Sequence, residues 1–330
     1  MAGHWTEVKI PKPGGRWGHS MAYDAMRERI VLFGGNAEPQ VDLNETWEWD
    51  GKAWTLVAGF GPQPRSSVSS VYIPDRGSIL IFGGEFSQNV SSKAIPKVFA
   101  DPWEWNGKGW KELPDFGPAP RRLSSLAYDT ARKRLVLFGG SDRPVLLNPK
   151  TPKDNLAEPD PRTWEWDGRG WAVCATNGPR ARYGHSMVFD AGRGRVVLFG
   201  GGYDELTKGK DPQPITRYLG DTWEWDGQAW TQVSDIGPQP RTMHSMAYDC
   251  DRGRIVLFAG EISMDPDRSM AENIPNHTWE WDGNGWMQVA NSGPGNWVLT
   301  GLAYDKARKQ TVLFGGVGQG VGSTVWIWNP

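Results

Sequence analysis

Two carboxylates and an imidazole fall on one stretch of this chain: Glu261 directly after Ala259-Gly260, Asp265 four residues on, and His277 further along. Carboxylate and imidazole donors on one connection could serve a divalent cation, with Glu261 and Asp265 as its first ligands. Glu85 holds the same place after Gly83-Gly84. Glu85, Glu261, Asp265 and His277 are therefore the acid–base candidates. A second set is cationic. Arg16, Arg65, Arg121, Arg182 and Arg241 each open a strand-like piece at matching places, Trp297 stands there in the last such piece, and Arg122 lies off the pattern. Guanidiniums converging on one point would suit planar, bidentate recognition of an acidic group. Trp17, Tyr183 and Trp297 would add stacking faces beside them.

Regular recurrence argues for structure instead. Glu48, Glu104, Glu165, Glu224 and Glu280 recur at the centre of another strand-like piece, and Ile327 stands there in the last copy, which also lacks the Arg. Joint loss suggests an Arg–Glu ion pair; Arg29, Arg134, Arg195 and Arg254 are rival partners, and the Arg row remains either structural or ligand-binding. His19, His185 and His244 occupy equivalent places and read as packed strand histidines. The Ser after each points to the opposite strand face, so no Ser–His dyad follows. Asp24, Asp129, Asp190, Asp249 and Asp305 read as turn formers.

The elements that must position these residues repeat about every fifty residues, the signature of a repeat array. Each copy has four strand-like pieces. Strand a is Gly18 to Asp24 in the first, and strand b, Ile30 to Phe33, ends in Gly34-Gly35. A variable connection leads to strand c, Trp47-Glu48-Trp49, and the Asp50-Gly51 turn leads to strand d, which starts at Trp54. Apolar β-branched runs closed by Gly-Gly, with no helical period, predict short antiparallel strands. The last copy stops at Asn329-Pro330 before its strand d, and His4 to Val8 matches the missing piece. The first strand is thus expected to complete the last blade. The blades are expected at 13–60, 61–117, 118–177, 178–236, 237–292, and 293–330 with 1–10, all within one domain. Three Trp per blade account for eighteen of the twenty, leaving Trp17 and Trp297.

The Gly-Gly doublet, the downstream Trp and their spacing resemble the kelch repeat. The resemblance implies an all-β, six-bladed β-propeller with four antiparallel strands per blade, similar in architecture to the galactose-oxidase propeller. Kelch interaction domains use arginines near strand a to hold acidic ligands. The Glu261–Asp265 spacing resembles the Glu-xxx-Asp-xxx-His iron site of plant kelch specifier proteins, although Ser269 stands in the His place. The copper site of galactose oxidase needs a cross-linked Cys and Tyr; Cys174 and Cys250, on a strand d and an a–b turn, are badly placed for it.

The 330 residues carry a formal charge of −2, which gives no global field for nucleic acid. No apolar run is long enough to span a membrane and no leader is apparent, so a soluble, cytoplasmic monomer is the expectation. No cofactor is called for beyond a possible divalent metal. The b–c and d–a connections share one face, and the b–c loops are longest in blades 2 to 5, so function is expected at that channel mouth, with Trp17 and Trp297 flanking a low gap. The first reading is a binding propeller for a peptide, a glycan or an acidic or planar small molecule. The alternative is an enzyme, a lyase, cyclase or isomerase, in the same loop-walled pocket.

Overall fold

A computed structural model of the chain describes residues 3–9, 13–86, 97–114, 117–143, 156–209, 212–263 and 270–330. They form six four-stranded antiparallel sheets, each a blade, and four two-stranded ribbons. In blade 4 the order from the centre outward is Ser186–Asp190, Arg195–Phe199, Thr222–Trp225 and Trp230–Ser234. Strand b is buried on both faces in every blade, which is why it reads as an unbroken apolar run. On the outer strand the middle residues face solvent instead, as Thr55, Leu56 and Val57 do in Trp54–Ala58.

Closure follows the expectation. His4–Val8 pairs antiparallel with Val325–Asn329, Trp5 opposite Trp328, and so supplies the outer strand of the blade built on Gly301–Asp305. The Trp5 indole packs against Phe258 of blade 5 and donates to Thr278 Oγ1 at 2.8 Å. The same inter-blade bond recurs from Trp110 to Thr46, Trp230 to Thr163 and Trp286 to Thr222.

Around the channel the blades are joined through their backbones. The N–H of Gly18 donates to Leu299 O, Ser67 to Gly18, Leu123 to Ser67, Gly184 to Leu123, Met243 to Gly184 and Leu299 to Met243, all at 2.7–3.1 Å. The last donor, Leu299, is also the first acceptor, so the six bonds form a closed ring. All six residues sit in the left-handed region, at φ of 54–64°. A second ring lies beside the first. The second Gly of each doublet donates to the carbonyl four residues before the next blade's inner strand, as Gly84 does to Arg121 at 2.9 Å. The first Gly meets the same approach: a Cβ on Gly83 would lie 2.3 Å from the Arg121 carbonyl oxygen, and only blade 5 carries a side chain there, the methyl of Ala259.

Strand-c glutamates have a partner other than either expected one. Glu165 and Glu280 each meet the turn arginine of their own blade, Arg132 and Arg252, at 2.8 Å, and Arg27–Glu48, Arg76–Glu104 and Arg193–Glu224 repeat the pair. The reason is register. Glu48 lies opposite Val31 in mid-sheet, within reach of the a–b turn, whereas Arg16 lies beyond the other end of the strands. Asp24 holds that turn by accepting from the N–H groups of Met26 and Arg27.

Trp5→Ala removes the closing indole and its bond to Thr278. It should cost about 3 kcal/mol in urea unfolding. An unchanged midpoint would mean that the first strand does not hold the ring.

Candidate functional site at the channel mouth

The arginine row is internal. Arg16, Arg65, Arg121, Arg182 and Arg241 are all buried. Each Nη1 donates to the carbonyl of the first residue of its own blade's doublet, Gly34, Gly83, Gly139, Gly200 or Ala259, at 2.8–3.2 Å. Four of the five also meet a carboxylate just before strand c: Glu45, Asp101, Asp160 and Asp221. The expected cationic ring facing a ligand is therefore corrected, because these guanidiniums fasten strand a to strands b and c. Trp297 fills the arginine place in blade 6. It is half-buried and packs with Phe258, Ala259, Leu302 and Trp326. Trp17 lies one place further along, bridged to Asn36, and no ring contact joins the two indoles among the described residues.

The histidines pack between blades. His19, His185 and His244 stand edge-on to Phe314, Phe138 and Phe199 of the preceding blade. Burial, reinforced by Arg16 and Arg241, holds His19 and His244 neutral, down to about 3, and burial with Arg182 and His244 lowers His185 well below the usual range.

The mouth on the b–c side departs from the repeat. A channel of about 180 Å³ runs through the disc, lined by four residues from each blade. At the ring, three blades carry bulky apolar side chains, Leu123, Met243 and Leu299, where two others have Gly18 and Gly184. These pack with Ala157 and Tyr183 into a small apolar floor. Polar groups stand one residue outside the ring, because each post-glycine residue is bridged to that place: Glu85 to Ser66, Ser141 to Arg122, Gly202 to Tyr183 and Glu261 to Thr242.

On one side, buried Glu85 accepts from Ser67 Oγ at 3.2 Å and Arg122 Nη1 at 3.3 Å, while its Oε2 has no partner among the described residues. Arg122 also donates to Arg143 O at 2.9 Å. Burial raises the Glu85 carboxyl against the pull of Arg122. On the other side, the ribbon Gly202–Leu206 with Pro214–Tyr218 brings in Asp204, which accepts from Tyr183, from Thr216 Oγ1 at 2.9 Å and from the Ala157 N–H at 3.0 Å. Tyr218 donates to Glu261 across blades. Burial raises both the Glu261 carboxyl and the Tyr218 phenol, whose proton the Glu261 carboxylate holds.

The structure thus brings Glu85, Arg122, Tyr183 and Glu261 to one mouth. It places His277 elsewhere, in the carboxylate position beside Arg241 on the rim. Asp265 lies outside the described residues. Asp204, Tyr218, Leu123, Met243 and Leu299 were missed. The last three could have been found as bulky residues at a place that is glycine in two other blades; Asp204 and Tyr218 lie on a connection with no counterpart. No helix among the described residues is long and apolar enough to cross a membrane.

No protein-family model matches the chain. It is 25% identical over 288 residues to host cell factor 1 of Homo sapiens, covering 82% of this chain and 13% of that protein. It is 24% identical over 301 residues to host cell factor 2 of Homo sapiens, covering 84% and 34%. With Adagio-like protein 3 of Oryza sativa subsp. japonica it shares 28% identity over 203 residues, 60% of this chain and 31% of that one. The chain therefore spans about a third or less of the length of these relatives. Among solved structures, YjhT superposes with a TM-score of 0.65 at 14% identity, over 96% of this chain and 95% of that one. A Dyadobacter fermentans protein of unknown function superposes at 0.59 and 13% identity, over 99% and 98%. The likeness to the two solved structures is one of fold.

Lowering the pH should destabilise the protein through the buried imidazoles. Their folded-state values lie below the unfolded value, so the unfolded chain binds more protons and stability falls as pH drops below about 6.5. Each contributes about 1.4 kcal/mol per pH unit until its folded-state value is reached. His19→Val, which installs the residue found at this place in blade 2, should reduce the slope of stability between pH 6.5 and 5 by about a third of the histidine part. An unchanged slope would assign the proton linkage to other groups.

Proposed function

We propose that the chain is a protein-interaction propeller that seats a peptide segment on the b–c mouth of its channel. The observation that carries this is the apolar floor of Leu123, Met243 and Leu299 set beside a buried carboxyl with an oxygen to spare, Glu85 Oε2. An apolar anchor surrounded by a few fixed polar groups is what specific recognition of a side chain needs. The resemblance to kelch interaction domains supports a polypeptide as the partner. Because the mouth offers Glu85, Glu261 and Asp204 against the single off-pattern Arg122, it favours a segment rich in N–H or cationic donors over an acidic one.

A second reading is favoured by one contact. Glu261 and Tyr218 are a hydrogen-bonded acid pair held partly out of water, both raised by burial, an environment in which general acids are found. Activity lost in Glu261→Gln with peptide binding retained would favour that reading.

Selection of a random peptide library on the folded protein tests the first. Enriched peptides should lose about tenfold or more in affinity for a Leu123→Ser, Met243→Ser variant, the loss expected when an apolar anchor's pocket is spoiled. They should bind normally to Lys52→Ala with Lys108→Ala on the opposite face. Peptides indifferent to the mouth substitutions would contradict the proposal.

A further inference from the structure

One blade breaks the arginine pattern in a way that the others make interpretable. In blades 1 to 4 a single carboxylate oxygen accepts from two donors at once. Asp221 Oδ2 takes Arg182 Nη2 at 2.9 Å and Trp223 Nε1 at 2.6 Å; Asp101 Oδ2 takes Arg65 Nη2 at 2.8 Å and Trp103 Nε1 at 2.7 Å. Asp160 Oδ2 and Glu45 Oε2 do the same for Arg121 with Trp164 and Arg16 with Trp47, at 2.8–3.0 Å. In blade 5 the corresponding donors are present, but no carboxylate among the described residues meets them. His277 stands immediately before strand c, where Asp101 and Asp221 stand in blades 2 and 4.

The consequence is local and unusual. Arg241 is fully buried, its Nε and Nη1 donate to Gln239 O and Ala259 O, and its Nη2 has no partner among the described residues. Trp279 Nε1 is buried and has no partner among the described residues either. Two donors aimed at one oxygen in four blades thus lack an acceptor among the described residues of the fifth, and a buried charge left in that state costs much more than an ordinary lost hydrogen bond. His277 does not relieve it; burial and the Arg241 charge both lower its imidazole, so it adds no charge of its own.

We infer that blade 5 carries a carboxylate-binding site at Arg241 Nη2 and Trp279 Nε1, completed by a carboxylate that the ligand brings. The site is separate from the channel mouth and does not rest on the function proposed there. Access follows from the sister blades, where the carboxylate in this place keeps 10–34% of its side-chain surface in contact with solvent. Gln239, whose carbonyl accepts from Arg241, and His277 line a rim pocket together with Ile262, Pro275, Asn276 and Asn296. Exposed Glu272 lines the same pocket and disfavours a polyanion, so a single carboxylate is the fitting class. A small carboxylic acid and an acidic side chain or terminus of a polypeptide share that chemistry.

Thermal unfolding with acetate in place of chloride at constant ionic strength tests the inference. Saturable acetate binding should raise Tm by about 3 °C. In indole 15N–1H spectra, one resonance, identified by its loss in Trp279→Phe, should move along the same titration. His277→Asp supplies the carboxylate from within the chain, as in four other blades. It should raise Tm without acetate and abolish the response. If that variant does not fold, Trp279→Phe, which removes one donor, should weaken acetate binding about tenfold, the worth of one charge-assisted bond. A short peptide with one Asp, compared with its Asn counterpart, separates the sources: preference for the Asp peptide over acetate points to a polypeptide, and equal binding to a small acid. Wild-type protein indifferent to acetate, or an undiminished response in His277→Asp, would overturn the site.

Discussion

Each blade of this protein hands one backbone N–H to a carbonyl of the blade before it, and after six such bonds the series returns to its start. Closure imposes the same conformation six times over, which explains why Ser67, Leu123, Met243 and Leu299 accept left-handed backbone that ordinarily costs on the order of 1 kcal/mol each. It also explains the glycine doublets, since the second ring brings a neighbouring carbonyl too close for a side chain. The outer strand supplied by His4–Val8 completes blade 6, the blade whose Leu299 accepts from Gly18.

Repeated charge in such a ring is mostly internal wiring. Arginines before strand a and glutamates in strand c invite pairing with each other, yet the strands hold them at different heights. The first group ties the top of each blade together and the second ties the a–b turn to mid-sheet. What is left for recognition is what the repeat does not demand: Arg122 against Glu85, Tyr183 against Asp204, Tyr218 against Glu261, and the bulky residues at three of six ring positions. The missing carboxylate of blade 5 belongs to the same class of departure, a rule kept by four blades and broken by one.

How much of this could be read in the chain follows from its regularity. Six copies of one pattern made strands, turns and ring closure legible, because each is enforced by local spacing and apolar period. The role of Asp24 in its turn and the packing of the histidines were legible for the same reason. Partners were not. Glu48 meets Arg27 through sheet register that spacing alone leaves open, and the Arg at the same offset after each strand a was the overlooked signal. Trp297 was read as spare, whereas it fills the space of a buried guanidinium. Asp204 and Tyr218 reach the mouth on a ribbon without a counterpart in the other blades, so nothing repeated pointed to them.

Amide hydrogen exchange at the six ring positions tests the closed ring most directly. The N–H groups of Gly18, Ser67, Leu123, Gly184, Met243 and Leu299 should exchange at one slow, common rate set by global unfolding, and Trp5→Ala should speed all six together. Fast exchange at Gly18 and Leu299 while the other four stay protected would show that the ring is open between the last blade and the first, and would contradict the account.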